Sequence, residues 1–183
     1  YEAFGEDPAL VAQPGAAVVR GLQGAELDRG SILATAKHFA GDGATSHGTS
    51  AMPEGLLDRG DVRLDEPTFR ALAVEPFRPA IAAGVGAVMI SFSSVRGRKT
   101  HGDRELVTGV LRDELGFGGI VVSDWEGHRE LPGSLQQQAA AAVNAGIDML
   151  MEPTHWQGLL VALTAATEAG EIPQDRIDDA VGR

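Results

Sequence analysis

Four short apolar runs alternate with stretches in which apolar residues recur every three or four positions. The runs cover residues 31–39, 85–91, 120–122 and 147–152, and the first three are rich in apolar and β-branched residues. Runs of this kind are typical of strands buried on both faces. The helical spacing predicts helices over 8–21, 66–83, 103–115, 134–145, 156–169 and from 174 onwards. The second helix should be interrupted by its prolines, and the third should begin at Asp103 and end before Gly116.

Strands that alternate with helices form a parallel sheet, and no two-residue Asn-Gly hairpin signal interrupts the alternation. An open doubly wound sheet usually carries a glycine-rich phosphate loop after its first strand. Here Gly41-Asp42-Gly43 follows a strand, but Ser46 takes the place of the third glycine. A complete eight-stranded barrel needs about 250 residues. We therefore predict an α/β fold that is half of a (β/α)8 barrel, with about four parallel strands and flanking helices.

Composition excludes several classes of partner. Lys and Arg total 15 against 26 Asp and Glu, so the formal net charge is −11. An acidic surface repels phosphate backbones and anionic lipid, so we expect no nucleic acid or membrane partner. There is no cysteine, hence no disulfide or thiolate metal site. The chain begins at Tyr1 and stops at Arg183 inside a helical pattern, so we expect residues 1–183 to be a partial domain, truncated at both ends.

Polar residues follow the end of each predicted strand: Lys37 and His38, Ser91 with Ser93 and Ser94, Asp124 and Trp125, and Glu152. Parallel strands would bring these side chains to one rim, where active sites of such folds lie. The Asp124 carboxylate, with a lysine nearby, is suited to act as a nucleophile. The flat apolar face of Trp125 is suited to stacking against a sugar ring. The alternatives are that Asp124 only caps a turn, or that Lys37 and His38 form a structural ion pair with it.

Two other chemistries are weaker. Lys37 at a strand end could form a Schiff base with a carbonyl substrate, but that needs a site poor in carboxylates. His38, His47 and His101 could bind a metal, but no H-x-x-x-H or H-E-x-x-H spacing exists. Histidines spread over polar loops are more often exposed to solvent. We therefore expect no metal and no cofactor.

Four segments carry a family resemblance: A-K-H-F-A-G-D-G at 36–43, V-M-I-S-F-S-S at 88–94, L-V-T-G-V-L-R-D-E-L-G-F-G-G-I-V-V-S-D-W at 106–125 and A-G-I-D-M-L-M at 145–151. They closely resemble glycoside hydrolase family 3, nearest to its β-glucosidases and exo-β-glucan glucohydrolases. The opening Y-E-A-F-G-E-D-P is similar to that family's approach to the second half of its barrel. The resemblance therefore implies that the chain is the second half of the family's N-terminal (β/α)8 barrel.

The resemblance also implies the roles of the site residues. Asp124 would be the catalytic nucleophile, and Lys37 and His38 would hold hydroxyls of the terminal sugar. Met89 and Phe92 would line that subsite, and Trp125 would form one wall of the adjoining aglycone subsite. Phe92 departs from the tyrosine often found in relatives of the glucan glucohydrolases. The implied reaction is retaining hydrolysis of terminal β-D-glucosyl residues from β-glucans, oligosaccharides or aryl glucosides.

The alternatives within this reading are a β-N-acetylhexosaminidase, a β-xylosidase or a non-catalytic sugar-binding segment. Hexosaminidases of the family carry K-H-F-P-G-H-G and a D-S-H loop, whereas this chain has Asp42 and a T-S-H-G-T loop without the aspartate. The acid/base carboxylate of the resembling glucosidases comes from a later domain, and the first barrel strands are also absent. We therefore expect the chain alone to be inactive or nearly so. The resemblance favours a periplasmic or secreted location, which the residues themselves do not decide.

Overall fold

The computed structural model describes residues 3–50, 52 and 56–183, which form a mixed α/β fold. The strands are β1 Thr35–Phe39, β2 Asp61–Val62, β3 Ala87–Ile90, β4 Ser94–Val95, β5 Arg98–Lys99 and β6 Ile120–Val122. The α-helices are α1 Pro8–Gln23, α2 Glu66–Phe69, α3 Arg78–Ala82, α4 Leu135–Ala145, α5 Trp156–Glu168 and α6 Gln174–Gly182. Between α2 and α3 the chain stays helical, through a π-helical turn Arg70–Val74 and a 3₁₀ turn Glu75–Phe77. A π-helix Glu105–Glu114 precedes β6.

The main sheet is parallel, as predicted. Its three strands lie in the order β1-β3-β6, and both pairs run parallel. The side chains of Val88, Ile90 and Val121 are completely buried, so the middle of the sheet belongs to the core. Because the strands are parallel, their carboxyl ends meet at one edge, where β1 ends with His38 and Phe39, Ser91 follows β3 and Ser123 and Asp124 follow β6.

The prediction of a fourth strand over residues 147–152 is wrong. Only Met149 makes a parallel bridge, to Val122. The Asp148 carboxylate accepts the backbone N–H of Val121 at 2.8 Å, and the Ser123 hydroxyl accepts the N–H of Met151 at 2.8 Å. Side chains thus accept backbone N–H groups that would otherwise pair with the backbone of a neighbouring strand. The apolar run therefore lies beside β6 without forming a regular strand.

A second, smaller sheet was not predicted. In it β2 pairs parallel with β4, and β4 pairs antiparallel with β5. The turn between β4 and β5 consists of Arg96 and Gly97, with φ of 51° and 80°. Two consecutive residues in the left-handed region make the turn that matches the twist of a hairpin. The signal was missed because an arginine stands where asparagine is usual.

The predicted helices are present, with details that follow from particular residues. The Asp7 carboxylate caps α1 by accepting the N–H of Ala9 at 2.8 Å. The second predicted helix is interrupted at its prolines, as expected. Asp103 caps the π-helix by accepting the N–H of Leu106 at 3.3 Å. Within the described residues, no helix is both long and apolar enough to cross a membrane.

Candidate active site

The ends of β1 and β6 bring His38 and Asp124 together. The His38 Nε2 atom lies 3.5 Å from Oδ2 of Asp124, and the two side chains are 19% and 16% exposed. The expectation that the polar residues after these two strands share a rim is therefore confirmed. Partial exposure leaves the carboxylate accessible from solvent while the strands hold its backbone.

A second carboxylate, which the sequence analysis did not single out as a site residue, holds the other side of the imidazole. The Asp42 Oδ2 atom lies 3.1 Å from Nδ1 of His38. The hydrogen bond with Asp42 raises the pKa of His38, against the effect of burial, and the charge of Asp124 adds to the rise. The same hydrogen bond lowers the pKa of Asp42. The spacing of four residues in H-F-A-G-D was the only signal that could have found Asp42. The arrangement favours an imidazolium between two carboxylates.

Asp124 is held from several sides. Its Oδ1 atom accepts the N–H of Trp125 at 2.7 Å, and its own backbone N–H donates to Nε2 of His101 at 3.0 Å. Its carbonyl oxygen accepts the N–H of Gly127 at 3.0 Å. Because Oδ1 is engaged with the backbone, Oδ2 is the oxygen that faces His38. The carboxylate is thus fixed in one orientation at the rim.

Lys37 is exposed and lies next to His38 in the chain. The hydrogen bond between His38 and Asp42 is the main influence on the pKa of each group. The positive charge of Lys37 is a smaller influence, and it lowers the pKa of both groups. The Lys37 ammonium therefore lies close enough to influence the charged groups at this rim. A rim that holds the carboxylates of Asp42 and Asp124 does not meet the requirement of a Schiff-base lysine for a site poor in carboxylates.

Phe92 is half-buried and held by groups that the sequence did not point to. The Arg59 guanidinium lies over its ring, 3.9 Å from the centroid. Arg59 also pairs with Glu130 at 3.0 Å, and Lys99 Nζ donates to the Phe92 carbonyl at 3.4 Å. Lys99 and Glu130 form a further ion pair. These contacts fasten the part of the chain around Arg59 to the loop after β3.

The aromatic and apolar candidates differ in exposure. Trp125 is 55% exposed at the rim, which leaves its ring free for a contact with a bound molecule. Met89 is half-buried on β3. These positions agree with apolar walls around a polar centre, the usual composition of a small-molecule site.

The expectation that loop histidines are exposed is wrong for His101. His47 is exposed, whereas His101 is only 1% exposed. Burial, with the nearby charges of His128 and Lys99, lowers the pKa of His101 to about 3. The reason is that the 3₁₀ turn Thr100–Gly102 packs beneath the strand ends instead of lying on the surface. Across the described residues, no group of three His, Asp or Glu side chains could hold a metal ion.

Glu152 and three serines were expected at the rim, but the structure places Glu152, Ser91 and Ser93 inside and Ser94 half-buried on β4. Glu152 is buried and pairs with Arg129 at 2.6 Å. Burial is the largest single influence and would raise the pKa of Glu152, but the hydrogen bonds from Arg129, His155 and Thr154 and the charge of Arg129 together bring it to about 2. Ser91 and Ser93 are buried and share a hydrogen bond of 2.8 Å. The three buried side chains support the backbone under the site.

Asp42→Asn is expected to lower the pKa of His38, because the main interaction that stabilises the imidazolium is removed. The folded pKa of His38 is raised, so protonation of His38 stabilises the protein fully below the unfolded value of about 6.5 while Asp42 is ionised, and this contribution is lost as pH rises through the folded pKa of His38. NMR titration of the His38 ring would measure the change. Asp58→Asn, at an aspartate whose side chain is 66% exposed, is the control and should leave the titration unchanged.

Comparison with known proteins identifies the family to which this chain belongs. A family profile described as the glycosyl hydrolase family 3 N terminal domain matches residues 1–183. Among solved structures, the exo-1,3/1,4-beta-glucanase (ExoP) from a Pseudoalteromonas species is 40% identical with a TM-score of 0.90, over 99% of this chain and 22% of that chain. The beta-glucosidase from Listeria innocua in complex with isofagomine is 28% identical with a TM-score of 0.85, over 98% of this chain and 25% of that chain.

Curated relatives agree. The lysosomal beta glucosidase of Dictyostelium discoideum is 34% identical over 100% of this chain and 23% of its own length. The periplasmic beta-glucosidase of Salmonella typhimurium is 32% identical over 98% of this chain and 23% of its own length. The class that the fold and these relatives define is the glycoside hydrolases. Within it, the chain belongs to glycosyl hydrolase family 3, and it spans about a quarter of the length of these relatives.

Proposed function

We propose that this chain carries the nucleophile of a retaining β-glucosidase. The reaction is hydrolysis of terminal, non-reducing β-D-glucosyl residues from β-glucans, oligosaccharides or aryl glucosides. The single observation that carries the proposal is the Asp124 carboxylate, which lies partly exposed at the end of a parallel strand with Oδ2 facing His38. The names of the relatives, β-glucosidases and an exo-glucanase, support glucose rather than xylose or N-acetylhexosamine as the terminal sugar.

The mechanism follows from this geometry. The Asp124 carboxylate attacks the anomeric carbon and displaces the aglycone, and water then releases glucose from the ester with retained configuration. Lys37 and His38 hold sugar hydroxyls, because both offer N–H donors at the same rim. Met89 and Phe92 line the terminal subsite, and the exposed ring of Trp125 forms a wall of the aglycone subsite. The imidazolium of His38 also offsets negative charge close to Asp124.

Retention requires a second carboxyl group about 5–5.5 Å from the nucleophile to protonate the leaving oxygen. Glu152 is unsuited to this role, because a pKa of about 2 keeps it ionised: burial raises the pKa, but the contacts with Arg129, His155 and Thr154 together lower it further. We propose that the acid/base residue and the remaining barrel strands come from other parts of a longer polypeptide. The relatives support this, because the chain spans only 22% and 23% of two of them. Residues 1–183 would then be the second half of a (β/α)8 barrel.

Trapping of the intermediate tests the proposal. A 2-deoxy-2-fluoro β-glucoside with a good leaving group should inactivate the full-length protein and add one fluoroglucosyl group to the peptide that holds Asp124. Peptide mass spectrometry locates the group, and excess glucose should slow the labelling. Labelling of another carboxylate would refute Asp124 as the nucleophile. Hydrolysis by Asp124→Asn at the normal rate would instead favour a non-catalytic sugar-binding role for this segment.

The isolated 183-residue chain is expected to hydrolyse an aryl β-glucoside at a negligible rate. The physical reason is the absence of the second carboxyl group on which departure of the aglycone depends. Turnover numbers of the isolated chain and the full-length protein, measured side by side, check this. Comparable turnover would show that these residues already contain the acid/base group.

A further inference from the structure

We propose that His101 is a positioning residue for the nucleophile: its buried, neutral imidazole accepts the backbone N–H of Asp124 and thereby fixes the carboxylate for attack. The inference rests on the proposed role of Asp124 as nucleophile and deepens it. The contact is direct, with 3.0 Å between the Asp124 nitrogen and Nε2 of His101. Because Nε2 accepts, the ring proton lies on Nδ1.

Asp124 lies beyond the last residue of β6, Val122, so its N–H is outside the parallel ladder. A donor at this depth needs a partner, since a buried N–H without one is strongly unfavourable. His101 supplies that partner from the 3₁₀ turn Thr100–Gly102. Once the N–H is fixed, Oδ1 binds the N–H of Trp125 and Oδ2 is left facing His38.

The turn that carries His101 is itself anchored to the loop after β3. The Thr100 hydroxyl donates to the Ser91 carbonyl, and the Thr100 N–H donates to the Ser93 carbonyl at 3.2 Å. The N–H of Asp103 closes the turn on the Thr100 carbonyl at 3.1 Å. The imidazole is therefore tied to the end of β3, while the group it binds follows β6.

The space for the ring is provided by a glycine. A Cβ atom on Gly127 would lie 2.2 Å from Nε2 and 2.4 Å from Cε1 of His101. Phe92 borders the ring elsewhere, with 5.8 Å between the ring centroids. A glycine three residues after the nucleophile and an aromatic residue after β3 thus enclose the imidazole. This enclosure fixes the direction of Nε2 as well as its position.

The imidazole must stay neutral to act as an acceptor at Nε2, and its surroundings ensure this. Burial is the main cause of its low pKa, and the positive charge of Lys99 also opposes protonation. A pKa of about 3 means that the acceptor is present throughout the mildly acidic and neutral range. His101 therefore differs from His38, which two carboxylates favour in the charged form.

The test compares three variants in the full-length protein: His101→Leu, which removes the acceptor, His101→Gln, whose amide oxygen can replace Nε2, and His101→Asn, whose shorter amide cannot reach. The readout is the rate of labelling by a 2-deoxy-2-fluoro β-glucoside. Displacement of a reacting group by about 1 Å can cost about 10²-fold. We expect a decrease of about 10- to 100-fold for His101→Leu and His101→Asn, and a rate within a few-fold of the native protein for His101→Gln. Affinity for glucose should change little.

His128→Leu is the matched control. His128 is also completely buried, but among the described residues neither of its ring nitrogens has a hydrogen-bond partner, and its Nε2 atom lies 3.4 Å from the Glu152 carboxylate. This variant should label at close to the native rate. Equal rates for His101→Gln and His101→Asn, or an equal decrease in His128→Leu, would overturn the proposal, and the Gln and Asn pair decides it if His101→Leu does not fold. Failure of the native protein to label at Asp124 would refute the proposed function instead.

Discussion

Asp124→Gly is expected to lower the turnover of an aryl β-glucoside by about 10⁴-fold or more, the size of effect seen when a covalent nucleophile or its partners are removed. The loss corresponds to about 5 kcal/mol in the activation free energy. In the proposed mechanism, the cause is the absence of the attacking carboxylate, which contacts His38 and Trp125 and whose backbone N–H binds His101. Steady-state rates in the full-length protein measure the effect.

The space left by the missing Asp124 carboxylate allows a more specific test of the nucleophile than the loss of rate does. Azide is a small anion that can occupy the place of the missing carboxylate and attack the activated sugar directly. With a dinitrophenyl β-glucoside, Asp124→Gly should then form the α-glucosyl azide, of inverted configuration. Asp58→Gly, at an exposed loop position, is the control and should keep native turnover without azide. Formation of a β-azide, or full activity of Asp124→Gly, would contradict a nucleophilic role.

Of the substitutions considered, Asp148→Ala is expected to lower the free energy of unfolding most, by about 3–5 kcal/mol. The reason is that removal of one partner of a buried ion pair leaves the charge of the other uncompensated. The Asp148 side chain is 2% exposed and pairs with Arg112 and Arg176. It also accepts the N–H of Val121 at 2.8 Å. The Arg112 side chain is only 10% exposed, so its guanidinium would remain buried without its acid. Urea unfolding of the full-length variants, with slopes compared, measures the difference.

Asp179→Ala is the matched control for Asp148→Ala. Asp179 also pairs with Arg176, and with Arg183, but its side chain is 46% exposed. Exposed pairs contribute about 0–1 kcal/mol, so this variant should unfold close to the native midpoint. Equal losses in the two variants would show that burial of Asp148 is not the source of its effect.

The sequence predicted the features that depend on local pattern. Runs of β-branched residues mark β3 and β6, because both faces of a parallel strand are covered. His38 lies at the carboxyl end of β1 and Asp124 shortly after β6, and these positions are enough to predict that the two meet at one edge. The family motifs around Lys37, Met89, Phe92 and Trp125 then assign roles that remain predictions until they are tested.

The features that could not be predicted depend on contacts between distant segments. Residues 147–152 have the composition of a strand, but the Asp148 side chain takes the N–H of Val121, which a strand would have paired. His101 looks like a loop histidine, and only the fold reveals that it lies beneath Asp124, 23 residues away in sequence. The partnership of Arg59 with Glu130 spans 71 residues. Single-sequence patterns contain no signal for such pairs.

The arginine above Phe92 has a consequence for efforts to alter sugar preference. Arg59 covers one face of that ring and depends on Glu130 for its counter-charge. If Phe92 lines the terminal subsite as proposed, its substitution by a smaller residue would release a cation beside the sugar as well as enlarge that subsite. Redesign of the terminal subsite should therefore treat Phe92, Arg59 and Glu130 as one unit and vary them together.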